Sequence, residues 1–94
     1  MKLFWTARAL SEIDAIFAYV AADSPSAAER LAVLIETRVQ SLIDQPNMGR
    51  PGRVDGTREF VVTGTPYILP YRVRDERVEI LAALHASRQW PDQF

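Results

Sequence analysis

The chain has no cysteine and a single histidine. Without cysteine there is neither a disulfide framework nor a thiolate zinc site, and one histidine does not make an imidazole-based metal site. Neither a metal nor a cofactor is therefore expected. No apolar run approaches the roughly 20 residues that cross a bilayer, so no membrane association is expected. Met1-Lys2-Leu3-Phe4-Trp5-Thr6 is too short and aromatic for a signal peptide, and the expected location is cytoplasmic. Nucleophilic triads, phosphate-binding glycine loops and metal-ligand spacings are missing too. There are no repeats, linkers or low-complexity stretches. Lysine is nearly absent: Lys2 is the one lysine among 11 basic side chains.

What is present is a chain of 94 residues, 48% hydrophobic and 24% charged, which fits one globular domain over residues 1–94. The net charge of −1 is unevenly spread. Residues 50–74 hold Arg50, Arg53, Arg58, Arg72 and Arg74 against Asp55 and Glu59, whereas the segments on either side are acidic on balance. Arginine's planar fork suits carboxylates and phosphates, although a GC-rich genome would give the same bias. Arg50, Arg53, Arg58 and Arg72 read either as an anion-seeking patch, for RNA or an acidic protein segment, or as a solvated, ion-paired face. The acidic balance of the whole weighs against nucleic acid.

Periodicity divides the chain. Lys2 to Trp5 reads as a strand. Thr6 reads as an N-cap, with Trp5 and Leu10 placed to form a hydrophobic staple. Leu10, Ile13, Phe17 and Val20 recur at helical spacing over about 7–22, with Ile16 and Tyr19 off the main stripe. Ser24 and Pro25 suit the cap and first position of a second helix, whose apolar face is Ala28, Leu31, Ile35, Val39 and Leu42 and whose end falls at Gln45, before Pro46. A proline- and glycine-rich loop follows to Gly56. Alternating runs then predict strands over about 57–62, 67–74 and 77–84, with a tight turn at Asp75-Glu76. Pro70 conflicts with a central strand position, because proline cannot donate to a ladder. The expected class is α+β, in the order β-α-α-β-β-β. A helical hairpin packs on one face of a mostly antiparallel four-stranded sheet.

His85, with Ser87, Arg88 and Trp90 close behind, is the remaining chemical feature. A histidine beside arginines is suited to acid–base work on an anion, and equally to tying the C-terminal segment to the sheet. Trp90 reads as an apolar anchor.

The joint order of several short motifs resembles the RelE/ParE superfamily, toxins of bacterial type II toxin–antitoxin systems. They are Trp5-Thr6 with Ala9-Leu10, Tyr19 with Ser24-Pro25 and Ala27-Ala28, and Pro46 with Gly49-Arg50. Further on come Gly56-Thr57-Arg58-Glu59 with Val61-Val62, Pro66-Tyr67-Ile68 with Tyr71-Arg72-Val73, Val78-Glu79-Ile80-Leu81, and Leu84-His85 with Arg88 and Trp90-Pro91. The resemblance spans nearly the whole chain. It implies one of two activities. RelE-like members cut mRNA on the ribosome; ParE-like members poison DNA gyrase. The RelE-like pattern implies lysines on the second strand, an arginine after the aromatic that opens the third, and a C-terminal tyrosine. This sequence has none of these, so a variant nuclease set would have to be Arg58, Arg72, His85 and Arg88. The His85-x-x-Arg88-x-Trp90 ending looks more ParE-like. The first reading is thus a gyrase poison with no catalytic residues; the second is a ribosome-dependent endoribonuclease; a third is a relic that only binds antitoxin. In each case the resemblance implies a hetero-oligomer with a cognate antitoxin, whose C-terminal segment wraps the toxin. Arg50, Arg53, Arg58, Arg72, Tyr19 and Trp90 are the expected contacts to target or antitoxin.

Overall fold

A computed structural model describes residues 1–94. Strand β1 (Lys2–Trp5) leads into α1 (Ala7–Asp23) through Thr6, whose hydroxyl accepts from the Ala9 N–H at 3.1 Å. Ser24 then serves two helices. Its N–H closes α1 on the Val20 carbonyl, and its hydroxyl accepts from the Ala27 N–H at the start of α2 (Pro25–Val39). With Pro25 in the first turn, where no N–H is needed, the reversal takes a single residue and the helices pack as an antiparallel hairpin.

The second helix was expected to continue to Gln45 but breaks at Gln40. There the Ser41 hydroxyl donates to the Arg38 carbonyl at 2.6 Å, and a separate turn, α3 (Ser41–Asp44), begins. A serine hydroxyl competing for a helix carbonyl bends the chain, and the bend seats Leu42 fully in the core.

The sheet runs β1-β5-β4-β3-β2, with β3 at Arg58–Val61, β4 at Tyr67–Arg74 and β5 at Arg77–Ile80. The β1–β5 pair is parallel and the others antiparallel. It holds six strands, and the two beyond the expected four have separate causes. One is β2 (Arg50–Pro51), a two-residue edge within the loop expected to be irregular, set by pairing of Arg50 with Glu59. The other, β6 (Leu84–His85), is the far end of the strand expected over 77–84. Tyr71 pairs with Ile80, yet Ile68 pairs with Leu84, so the C-terminal strand carries one residue more than β4 across this interval. That residue makes a bulge. Glu12 of α1 serves it, accepting from the Ala83 N–H at 3.1 Å.

Pro70 lies next to this bulge, in the middle of β4. Its carbonyl accepts from the Leu81 N–H at 2.8 Å, but it has no N–H to return. The Thr6 hydroxyl donates to the Leu81 carbonyl instead, at 3.2 Å. One side chain therefore caps a helix and fills the gap that proline leaves in the ladder.

Alternation along the strands gives the sheet two unlike faces. The helix-facing side buries Phe60, Val62, Leu69, Tyr71, Val78 and Ile80 against Ala9, Ile13, Ile35, Val39 and Leu42. Ile16 packs at the margin of this cluster, while Leu10, expected on the apolar stripe, stays about half exposed in a groove with Trp5. The Tyr71 hydroxyl donates to the Pro46 carbonyl at 2.7 Å and accepts from the Gly49 N–H at 2.9 Å. Burial pushes its pKa up, with the Gly49 bond and the charge of Arg58 pulling the other way. A Cβ on Gly49 would come within 2.6 Å of the Tyr71 ring and hydroxyl, so only glycine fits there.

Candidate functional site

The outer face of the sheet carries the arginines, organised by two buried carboxylates. Glu59 and Glu79 are 2% and 3% exposed. The register pairs Glu59 with Arg50 and Pro70, and Glu79 with Arg72 and Phe4, so all of these leave the sheet on one side. Arg50 reaches Glu59 at 2.9 Å, and Arg53 meets it through its backbone N–H at 2.8 Å and its side chain at 3.6 Å. Arg72 and Arg77 both close on Glu79 at 2.7 Å. The Arg72 hydrogen bond holds the Glu79 carboxyl below its ordinary range; burial opposes this and Arg77 adds to it. Aromatic rings cover the layer. The Arg77 guanidinium lies 4.6 Å from the centre of the Phe4 ring, and that of Arg53 lies 3.9 Å from the Trp90 ring. Past Trp90 the tail continues to Phe94, over which Arg8 sits at 5.1 Å.

Arg58 stands apart from this layer. It pairs with Tyr71, leaves on the helix-facing side, and donates to the Gly49 carbonyl at 2.7 Å and the Asn47 carbonyl at 3.3 Å. Its task is to hold the loop ahead of β2. Arg58 and Arg72 border one shallow depression at the sheet's end, as expected, but approach it from opposite faces. Glu59 pairs with neither its sequence neighbour Arg58 nor Arg72; it belongs to Arg50 and Arg53.

A second concavity lies where the middle of α1 passes the end of β4 and β6. It is a cleft of about 650 Å³ with Ile16, Tyr67, Ala83 and Leu84 as its floor. Tyr19 stands on one rim, 77% exposed. His85, Ser87 and Arg88 form the other. His85 packs edge-on against Tyr67 with ring centres 5.8 Å apart. Its Nδ1 accepts from the Ser87 N–H at 3.1 Å, which leaves the ring proton of the neutral form on Nε2. The His85 carbonyl accepts from the Trp90 indole at 3.4 Å. The histidine thus organises the turn that presents Arg88. No ion pair includes Arg88.

The four residues of the variant nuclease set are therefore not brought together. His85 and Arg88 share the cleft, and Arg58 and Arg72 share the depression. His85 pairs with Tyr67 and Arg58 with Tyr71, so the two sites are separated by roughly 13 Å of strand at about 3.3 Å per residue. Tyr19 joins His85 and Arg88, while Trp90 joins Arg53. The periodic pattern alone did not reveal the roles of Glu12, Glu59 and Glu79, because strand register and helix placement decide which groups they meet. The one available signal was their position on strands or helix faces otherwise expected to be apolar or solvated.

A family model described as "ParE toxin of type II toxin-antitoxin system, parDE" matches residues 3–90. The protein Y4kP of Sinorhizobium fredii is 48% identical over 90 residues, covering 96% of this chain and 93% of its own. Toxin RelE2 of Caulobacter vibrioides is 39% identical over 87 residues, covering 93% and 97%. Among solved structures, a chain of the chromosomal ParDE system from P. aeruginosa superposes with a TM-score of 0.81 at 30% identity, over 93% of this chain and 97% of that one.

Proposed function

The chain belongs to the ParE toxin family of type II toxin–antitoxin systems, and on that premise we propose that it arrests growth by binding and poisoning DNA gyrase. The observation that supports gyrase over mRNA is the separation of the nuclease set. Cleaving RNA through its own 2′-hydroxyl needs a base at that hydroxyl and cations at the scissile phosphate, all within a few ångströms. Here the only histidine faces the helix side near Tyr67, whereas Arg72 leaves the other face and is tied to Glu79. Arg58 is occupied by loop carbonyls. A protein-binding toxin needs no such convergence.

A cognate antitoxin is the second partner of this reading, and gyrase as target places the toxin in the cytoplasm. The face that suits the antitoxin is the helical hairpin with the free edge of β1. Leu10 and Val33 are exposed there, and Leu3, Trp5, Leu10 and Phe17 line an apolar groove. Arg50, Arg53 and Arg72 are poor candidates for the antitoxin's acidic residues, since each already holds a buried glutamate.

The test is pulsed expression without antitoxin, followed by DNA and mRNA readouts. Gyrase-trapped DNA breaks and a DNA-damage response with intact mRNA are expected. Codon-positioned mRNA cuts without DNA breaks would overturn the reading in favour of the ribosome-dependent nuclease. Absence of arrest would leave a relic that only binds antitoxin.

A further inference from the structure

We infer that the cleft between α1 and β6 seats an acidic peptide segment of the toxin's target protein, one apolar side chain on its floor and a carboxylate on Arg88. The floor is apolar, formed by Ile16, Tyr67 and Leu84, and Tyr19 stands exposed over it. A tyrosine that is largely out in water beside an apolar hollow is an aromatic contact without its partner. The charges fix which way the segment lies. Glu12 closes one end of the cleft, its carboxylate engaged by the Ala83 N–H and by Arg8 at 3.4 Å, and it repels an acid there. Arg88 is at the other end with no carboxylate of its own. An incoming acid is therefore drawn to the Arg88 end, and the apolar residue beside it falls over the floor.

The same charge count disfavours a nucleic acid. With Glu12 paired to Arg8, Arg88 is the one unpaired guanidinium of the cleft, which suits a single carboxylate and not a run of phosphates. The cleft also shares no lining residue with the apolar groove between the hairpin and β1. A toxin must engage two proteins, its target and its antitoxin, and the molecule offers two separate apolar surfaces. The cleft has the more polar rim of the two, with Glu12, His85, Ser87 and Arg88, as fits a site that recognises one short segment through a charged contact.

The inference rests on the gyrase reading only for the partner's identity. Its test uses the full chain with Tyr19→Ala and Arg88→Glu, both at exposed positions where folding should be unaffected. Binding to purified gyrase and to purified antitoxin is measured beside growth arrest. Both variants should bind gyrase at least roughly tenfold more weakly, lose arrest, and keep wild-type antitoxin affinity. Unchanged gyrase binding in both variants would overturn the inference, as would loss of antitoxin binding with arrest retained. If the wild-type chain itself fails to bind gyrase, the gyrase reading falls but the cleft is still tested. Loss of arrest in both variants, with antitoxin binding intact and no RNA cleavage by the wild type, would support another target protein. Arrest kept in both, or RNA cleavage lost in both, would overturn it.

Discussion

Glu79 shows how one side chain can organise a surface. It is buried, takes two arginines, and has its pKa held low chiefly by Arg72. A carboxylate with a depressed folded pKa adds stability above its unfolded value, near 4.5, and loses that contribution as pH falls through the lower folded value. Glu79→Gln should cost about 2 kcal/mol at neutral pH, as expected for losing charge-assisted hydrogen bonds. The gap between wild type and variant should close progressively below pH 4.5 in melting experiments across pH. A gap that stays constant through this range would deny the carboxylate its role. Tyr71→Phe tests a neutral counterpart. Removing the hydroxyl strands the Gly49 N–H and the Pro46 carbonyl, and about 1–2 kcal/mol of stability should go with it in denaturant titrations. Neither partnership was visible in the sequence, because Pro46 and Gly49 lie more than 20 residues from Tyr71 and the strand register decides who meets whom. What could be read there was the arginine excess around residues 50–74 with Glu59 in its midst, but not which arginines Glu59 and Glu79 would hold.

Elements were legible where their signals are local. Thr6, Ser24 and Pro25 act within three residues of themselves, and the helix starts they predicted are those observed. The break at Gln40 and the bulge at 81–83 carry no such mark. The first comes from a serine hydroxyl reaching only three residues back to Arg38, a bond that a serine within a helical pattern does not announce, and the second from Glu12 being close enough to serve a freed N–H. Thr6 is the most economical test at this scale. Thr6→Val keeps the shape of the side chain but removes the cap of α1 and the donor to the Leu81 carbonyl. A loss of about 1–2 kcal/mol is expected from chemical denaturation. The β4–β5 turn should respond in the opposite sense. Asp75 and Glu76 sit at φ of 53° and 58°, in the left-handed region that a two-residue hairpin turn requires. Glu76→Gly should relieve the strain at one of them and raise stability by up to about 1 kcal/mol.

At the scale of the whole molecule, β4 is the hub. It pairs with β3 on one side and with β5 and β6 on the other, and Leu69 and Tyr71 within it are fully buried. The amides of Leu69 and Tyr71 should therefore exchange with solvent only on global unfolding, whereas those of β2 should exchange through local opening, as native-state hydrogen exchange would show. The general architecture was legible in the sequence, since helix and strand periods alternate cleanly. What was not legible was that the two faces of the sheet divide the work. One buries the core against the hairpin, and the other neutralises arginines with two glutamates.

The parallel pairing of β1 with β5 also sets a timetable. Residues 2–5 leave the ribosome well before their partners, residues 77–80. Everything between them is synthesised before the two strands can meet, so β1 waits, unpaired, for β5. During that interval the nascent chain can form its helical hairpin from neighbouring residues alone, but its sheet stays open. Closure of the sheet waits until β5 has emerged, and long-range closure of this kind is slow in folding. The complete sheet therefore cannot exist until the hairpin, the loop and the central strands between these partners have all been made.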